Sequence, residues 1–435
     1  MRLSDLHVTA KGAPRVSRIV TPPARAVWRL WRDLRRWLPL GHVPGLKTWS
    51  RRPVGVWYFA EEYLAGHPDA GSVSVVIPSG SAMRTPPIPL GVGRGLPHGS
   101  ADPVRWSDRR VITLRDVRLV GGYGGSVITP DNRLLAELSP DVWGAKRHEL
   151  FSRIRLPGET RLPGLTAMLA TPEAPGNYGH WLFDLLPRIL MIEQAGVRLS
   201  DIDHFVVNLG EGRFCRETLS AMGVPLGRVR PLGPQTAYRA DTMVSASLCA
   251  EHYQSSLPPS LFRLLADRLA APGPAECGFP KRLYLPRSGA RFRHLANEGA
   301  LEPVLAKHGF VPFFPDQHSL AGQAAAFRGA EVVVGPHGTA MSNLLFCKPG
   351  TRVLEVAPPF HTDFSFWTVS SHARLTYAAI LGRPVDALAE QAIDGSARGE
   401  NWGTRYLDYT IDPEEFQAGL EKLLDLETNR PGEAL

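Results

Sequence analysis

The chain is short of the patterns on which most nucleotide, metal and hydrolytic chemistry rests. It has four cysteines, Cys215, Cys249, Cys277 and Cys347, scattered without metal-ligand spacing, so buried free thiols in a reducing compartment are expected. No stretch approaches the about 20 apolar residues of a membrane span, and no apolar leader core opens the chain, so secretion is not expected. Walker A, G-x-S-x-G, H-E-x-x-H and Cys-x-x-Cys patterns are all absent. The run GVGRG at 91–95 has no strand before it and Pro97 after it, so it is expected to be a loop rather than a dinucleotide fingerprint. The Asp-Ile-Asp at 201–203 precedes an apolar run instead of following one, which argues for a turn and against a metal clamp.

What remains is an ordered globular composition, 43% apolar and 21% charged, over 435 residues, enough for two domains or more. Glycine and proline together number 81, so loops are long or many. The net charge of +7 is local. Residues 1–50 hold ten Lys and Arg against Asp5 and Asp33, a net +8, which leaves 7 − 8 = −1 for residues 51–435. A body that is nearly neutral does not suit a nucleic-acid cleft. Within the basic segment, RAVWRLWRDLRRWL (25–38) places Arg25, Arg29, Arg32 and Arg36 on one helical stripe and Val27, Leu30, Trp31, Leu34 and Leu38 opposite. Such a helix suits an anionic membrane surface, and equally suits docking on its own domain.

Residues 39–105 show no sustained period, and 110–145 read as a β-meander punctuated by GGYGG. From 176 onward strands and helices alternate. The strands are 204–208, a weaker one near 241–248, 282–285, 310–314, 331–334, 351–356 and 375–380. Helices are expected at 180–194, 261–270, 296–309, 319–328 and 413–425. Alternation seen twice, on either side of the linker-like APGPAECGFPK, predicts two parallel sheets with helices on both faces. The expected division is an extension over 1–105, a first Rossmann-like domain over 106–272 and a second over 273–435.

Three constellations carry chemistry. In GNYGHWLFDLLPRIL (176–190), His180, Asp184 and Arg188 fall at i, i+4 and i+8 on one face. A histidine beside a carboxylate at a helix start fits a general base, a helix cap with a surface ion pair fits as well, and Pro187 should interrupt the helix. In LYLPRSGARFRHLANEGAL (283–301), Arg287, Arg291 and Arg293 follow a strand end, where arginine forks can neutralise a diphosphate. Asn297 and Glu298 fit caps of the next helix. In EVVVGPHGTAMSNLL (331–345), a buried strand stops at a glycine turn and feeds a helix. His337, the close approach allowed by Gly338, and the N–H groups of Thr339 and Ala340 read as a phosphate cradle. Asn343 is expected to brace the loop, and Glu355, ending the next strand, to take ribose hydroxyls.

In this order, GNYGHW with D..PR, then R…..R.L.NE (Arg287, Arg293, Leu295, Asn297, Glu298), then GPHG with a downstream Asn, the motifs resemble the family-61 glycosyltransferases across about residues 110–385. One departure is HGTA where that family usually continues HGAG. The resemblance implies a GT-B architecture, two Rossmann-like doubly wound domains facing a cleft, with the nucleotide-sugar on the second. It implies inverting transfer of a hexosyl or pentosyl group to a glycan hydroxyl, commonly without a metal, in bacterial capsule or other surface polysaccharide assembly. His180 or Asp184 would be the base, and the sequence does not choose between them. The helix at 25–38 would then hold a cytoplasmic enzyme peripherally at the inner membrane, near lipid-linked acceptors. A non-catalytic glycan- or nucleotide-binding protein is the alternative.

Overall fold

A computed structural model describes residues 51–93, 95–96, 103–141, 144–153, 155–248, 256–270, 278–359, 363–385 and 407–426. The basic amphipathic segment 25–38 lies outside them. The described chain is a mixed α/β structure built on two large sheets.

The first sheet has nine strands. Across it run Gly55–Trp57, Arg133–Leu135, Ser126–Ile128, Arg109–Val120, Ala237–Ala246, Glu159–Met168, His204–Val207 and Val229–Pro231, with Gly71–Ile77 also paired to Arg109–Val120. It is not the all-parallel sheet that alternation suggests. The strands from Ala237–Ala246 to Val229–Pro231 are parallel, whereas Arg109–Val120 joins Ala237–Ala246 and Ser126–Ile128 antiparallel. For Ser126–Ile128 the cause is local: the short turn over 121–125 folds its flanking strands back on each other. Strands from 55–57 and 71–77 enter this sheet, so the segment expected as an extension builds part of it. That segment also crosses to the second half. Arg84 Nε donates to Thr368 Oγ1 at 2.9 Å, Trp367 Nε1 donates to Thr85 O at 2.6 Å, and Ile88 N donates to Tyr377 O at 2.7 Å.

The second sheet is wholly parallel, in the order Val311–Pro312, Arg282–Tyr284, Val332–Pro336, Arg352–Ala357, Thr376–Leu381. Numbered along the chain this is 2-1-3-4-5, so the winding direction reverses between Arg282–Tyr284 and Val332–Pro336. Ligands of open parallel sheets lie outside the carboxyl ends of strands at such a reversal. Val332–Pro336 is buried along its whole length, as a strand covered on both faces must be.

The two faces of this sheet pack differently. Tyr284, Val332, Val334 and Leu354 pack under Phe416, Leu420 and Leu423 of the helix Pro413–Asp425. Asp412 Oδ1 caps that helix by accepting from Glu414 N at 2.9 Å. Leu283, Val333, Val353 and Tyr377 face the first sheet, and their cluster runs without a break through Met341, Trp367, Phe262, Leu185 and Trp181 to Ala167, Phe205 and Val244. One apolar core therefore joins both sheets, and the helix carrying His180 lies inside it. Among the described residues no helix is long and apolar enough to cross a membrane.

Candidate active site

The helix start that carries His180 is built by Asn177, whose Oδ1 accepts from Gly179 N at 3.0 Å and His180 N at 3.3 Å. The helix continues to Gln194, but residues Trp181–Leu185 form a π turn in which Leu186 N donates to Trp181 O. Pro187 explains the widened turn: it has no N–H to offer, and the wider turn passes that gap without a break. Spacing predicts an interruption here, and the structure shows a local change of pitch.

His180 is gripped from two sides. Its Nδ1 lies 2.5 Å from Asp184 Oδ2, and its Nε2 lies 3.0 Å from Glu173 Oε2. Burial alone would pull this imidazole down, but the bonds to Asp184 and Glu173 outweigh it and push it up to about 10. Burial pushes the Asp184 carboxyl up, and the contact with His180 pulls it back. Asp184 Oδ1 is buried with no hydrogen-bond partner among the described residues. Arg188, fully buried behind it, bonds the carbonyls of Leu169, Ala170 and Ala246 and the hydroxyl of Ser245. Sequence reasoning missed Glu173. Its part depends on a left-handed turn (φ 60°) that brings the chain back over the ring, and no spacing rule reports that.

The second cluster stands at the winding reversal. The guanidinium of Arg287 lies against Gly338: a Cβ built on that glycine would be 2.2 Å from Nη1. Nε of Arg287 donates to Arg293 O and Nη2 to Phe292 O, both at 2.9 Å, while Nη1 has no partner among the described residues. Burial, then the charge of Arg293, pulls the Arg287 guanidinium down to about 10. Arg293 is left-handed (φ 57°), a conformation that costs a side-chain residue about 1–3 kcal/mol and turns its carbonyl onto Arg287. Glu298 fixes the turn beneath, accepting from Tyr284 OH and Arg287 N at 2.8 Å each. Arg287 meets the GPHG loop through its own side chain. Arg291 is exposed, with its guanidinium 5.0 Å from the Phe292 ring centre. Asn297 is not a side-chain cap. It brackets the main chain of Ile411, donating to its O at 2.6 Å and accepting from its N at 3.1 Å.

His337 is 4% exposed. Its Nδ1 meets Glu355 Oε1 at 2.5 Å, and its Nε2 is 3.7 Å from Asp363 Oδ2. Glu355, 1% exposed, also accepts from Tyr377 OH at 2.5 Å through Oε2. Both oxygens of Glu355 are engaged beneath the ring, and the carboxylate orients His337. The Thr339–Phe346 segment is a 3₁₀ helix rather than an α-helix, and its first N–H groups have no acceptor within the helix. Asn343 is fully buried, and its Oδ1 accepts from Tyr178 OH at 2.9 Å. That bond ties the His180 helix start to the 339–346 helix across the seam between them.

Among the described residues no three His, Cys, Asp or Glu side chains gather as a metal site. Asp201 and Asp203 serve locally, Asp201 on Arg198 and Asp203 on the Leu165 N–H. Cys215 and Cys347 are buried free thiols, while Cys249 and Cys277 lie outside the described residues.

No curated protein matches the chain. The family model described as Glycosyltransferase 61 matches residues 178–354, a span that runs from Tyr178 through His180, Arg287 and His337 and stops one residue before Glu355. Residues 178–354, which hold both faces of the seam, are similar to the glycosyltransferase 61 family over less than half of the chain.

Proposed function

We propose that the protein is an inverting glycosyltransferase that binds a nucleotide-sugar at the Arg287–Gly338 end of the seam and passes the sugar to a glycan hydroxyl activated by His180. The observation that carries this reading is Nη1 of Arg287, without a partner among the described residues, lying on Gly338 at the winding reversal of a parallel sheet. A guanidinium fork that makes no ion pair among the described residues, beside the N–H groups of Thr339 and Ala340, suits the oxygens of a diphosphate. Arg293 adds positive charge nearby. Behind the loop, Tyr377 bonds Glu355 and Glu355 holds His337 through Nδ1, with Nε2 turned toward Asp363. We propose that these groups take the charge of the departing diphosphate without a divalent cation.

On the opposing side, Asp184 is buried beneath His180, so the imidazole is the group an acceptor can reach. His180 Nε2 takes the proton of the acceptor hydroxyl, and Asp184 on Nδ1 orients the ring and stabilises the imidazolium that results. The oxygen attacks the anomeric carbon as the diphosphate leaves on the other face, one displacement that inverts the centre. In this form the GT-B arrangement has the first sheet presenting the acceptor side and the second the donor. The family resemblance extends the proposal to surface polysaccharide assembly, with the segment 25–38 docking a cytoplasmic enzyme on an anionic membrane.

The test is turnover of uridine- and guanosine-diphosphate sugars in a mixture of glycan acceptors, with the anomeric configuration of the product read by NMR. Transfer with inversion that is lost in both His180→Ala and Arg287→Ala is the expected result. Nucleotide binding without turnover in any acceptor would leave a binding protein instead.

A further inference from the structure

The nitrogen of His180 that an acceptor hydroxyl needs is already taken. Glu173 Oε2 lies 3.0 Å from Nε2. The two carboxylates on this ring differ in what surrounds them. The Asp184 side chain is 8% exposed, that of Glu173 46%, so among the described residues the Glu173 side of the ring is the more open. An acceptor must arrive from that side.

Glu173 is nonetheless placed, not loose. The turn before it is pinned by Asn208, which exchanges two hydrogen bonds with the main chain of Thr171, and by Arg188 on the carbonyls of Leu169 and Ala170. Its own backbone is left-handed, a strained state for a side-chain residue. Tyr123, on the turn between Arg109–Val120 and Ser126–Ile128, donates to Glu173 Oε1 at 2.9 Å. Glu173 and Tyr123 both fall outside the matched span 178–354.

We propose that Glu173 holds the acceptor's place on His180 Nε2 in the empty enzyme and is displaced by the incoming hydroxyl, a step that readies His180 as the base. The inference rests on the reading of His180 given above. Protons balance as follows. The Nε2 proton passes to the Glu173 carboxylate and on to water as the hydroxyl takes its place. The freed Nε2 then accepts the hydroxyl proton while the oxygen forms its bond to the anomeric carbon and the diphosphate leaves. Among the described residues, the charged or titratable groups facing His180 are Asp184 on its own helix and Glu173 on the preceding turn. Tyr123 stands behind Glu173, and Arg188 behind Asp184.

Glu173→Gln keeps the shape and removes the charge. Two readouts are needed: the titration of His180 by ¹⁵N NMR in the protein without substrates, and the acid limb of kcat/KM against pH. Losing one carboxylate neighbour should lower both midpoints together by about 1–3 pH units, and Tyr123→Phe should move them less in the same direction. An ion pair with no part in acceptor binding would lower the His180 midpoint and leave the acid limb of kcat/KM where it is. If the His180 titration and the limb stay put in Glu173→Gln, the place-holding role is wrong and the base assignment stands. A loss of kcat of about 100-fold or more at every pH would make Glu173 itself the base and overturn the proposal. Full activity in His180→Ala would sink the base assignment on which the proposal rests, whatever the NMR shows.

Discussion

Adding one methyl group at position 338 probes the diphosphate site without touching a charged residue. The Cβ of Gly338→Ala would lie 2.2 Å from Arg287 Nη1 and 3.2 Å from Cζ, so the guanidinium must leave. Its two tethers, to the carbonyls of Arg293 and Phe292, limit where it can go. The backbone at 338 is extended, φ −176°, which any residue adopts, so the fold itself should tolerate alanine. A hydrogen bond to a charged group contributes about 1.5–3 kcal/mol, which corresponds to a rise of about 10- to 150-fold in the dissociation constant of a nucleoside diphosphate. Isothermal calorimetry with UDP and GDP reads this directly, with thermal melting to confirm that the variant is folded. Arg287→Ala should lose the same amount, and the double variant little more, because both remove one contact. Wild-type affinity in folded Gly338→Ala, or losses that add in the double variant, would refute the placement of Arg287 on the ligand.

Three further outcomes follow from the same geometry. His180→Ala and Asp184→Asn should each lower kcat by about 10²- to 10⁴-fold with donor KM little changed, and steady-state kinetics that show full retention in both would remove the pair from the chemistry. The imidazole of His180 is buried, which disfavours its charge, yet Asp184 and Glu173 raise it from 6.5 to about 10. A value raised on folding gives stability that is fully present below the unfolded value and is lost as pH climbs through the folded one. The melting-temperature gap between wild type and His180→Gln should therefore be widest in mild acid and close toward pH of about 10, and a gap that grows with alkali would contradict the assignment. Tyr178→Phe and Asn343→Ala break the 2.9 Å bond across the seam. Each should cost about 1 kcal/mol in denaturant unfolding, the double little more, and full additivity would show that the bond does not couple them.

Much of the second half was legible because its signals are local. The runs VVV and VLEV are buried on both faces, as strands of a covered parallel sheet are, and the helices capped by Ser319 and Asp412 start where expected. The first sheet was harder. Gly71–Ile77 alternates weakly beside glycine and serine, and its place is set by pairing with Arg109–Val120, nearly 40 residues on. The motifs brought His180 with Asp184, and Arg287 with the GPHG loop, within sight of each other. They did not give the parts that depend on long-range geometry. Glu355 stands where it was expected, but Tyr377 from the neighbouring strand and the ring of His337 claim its oxygens. Asn297 looks like a cap until the main chain of Ile411, 114 residues away, occupies both ends of its amide. Glu173 carries no motif at all, since a single left-handed residue decides which way its side chain reaches.

The most direct measurement is a crystal structure of the protein soaked with a nucleoside diphosphate. Density for the two phosphates within hydrogen-bond reach of Arg287 Nη1 and the Thr339 N–H, at the carboxyl ends of Arg282–Tyr284 and Val332–Pro336, is the result expected. Phosphates bound elsewhere, with Arg287 still resting on Gly338 and contacting nothing, would contradict it.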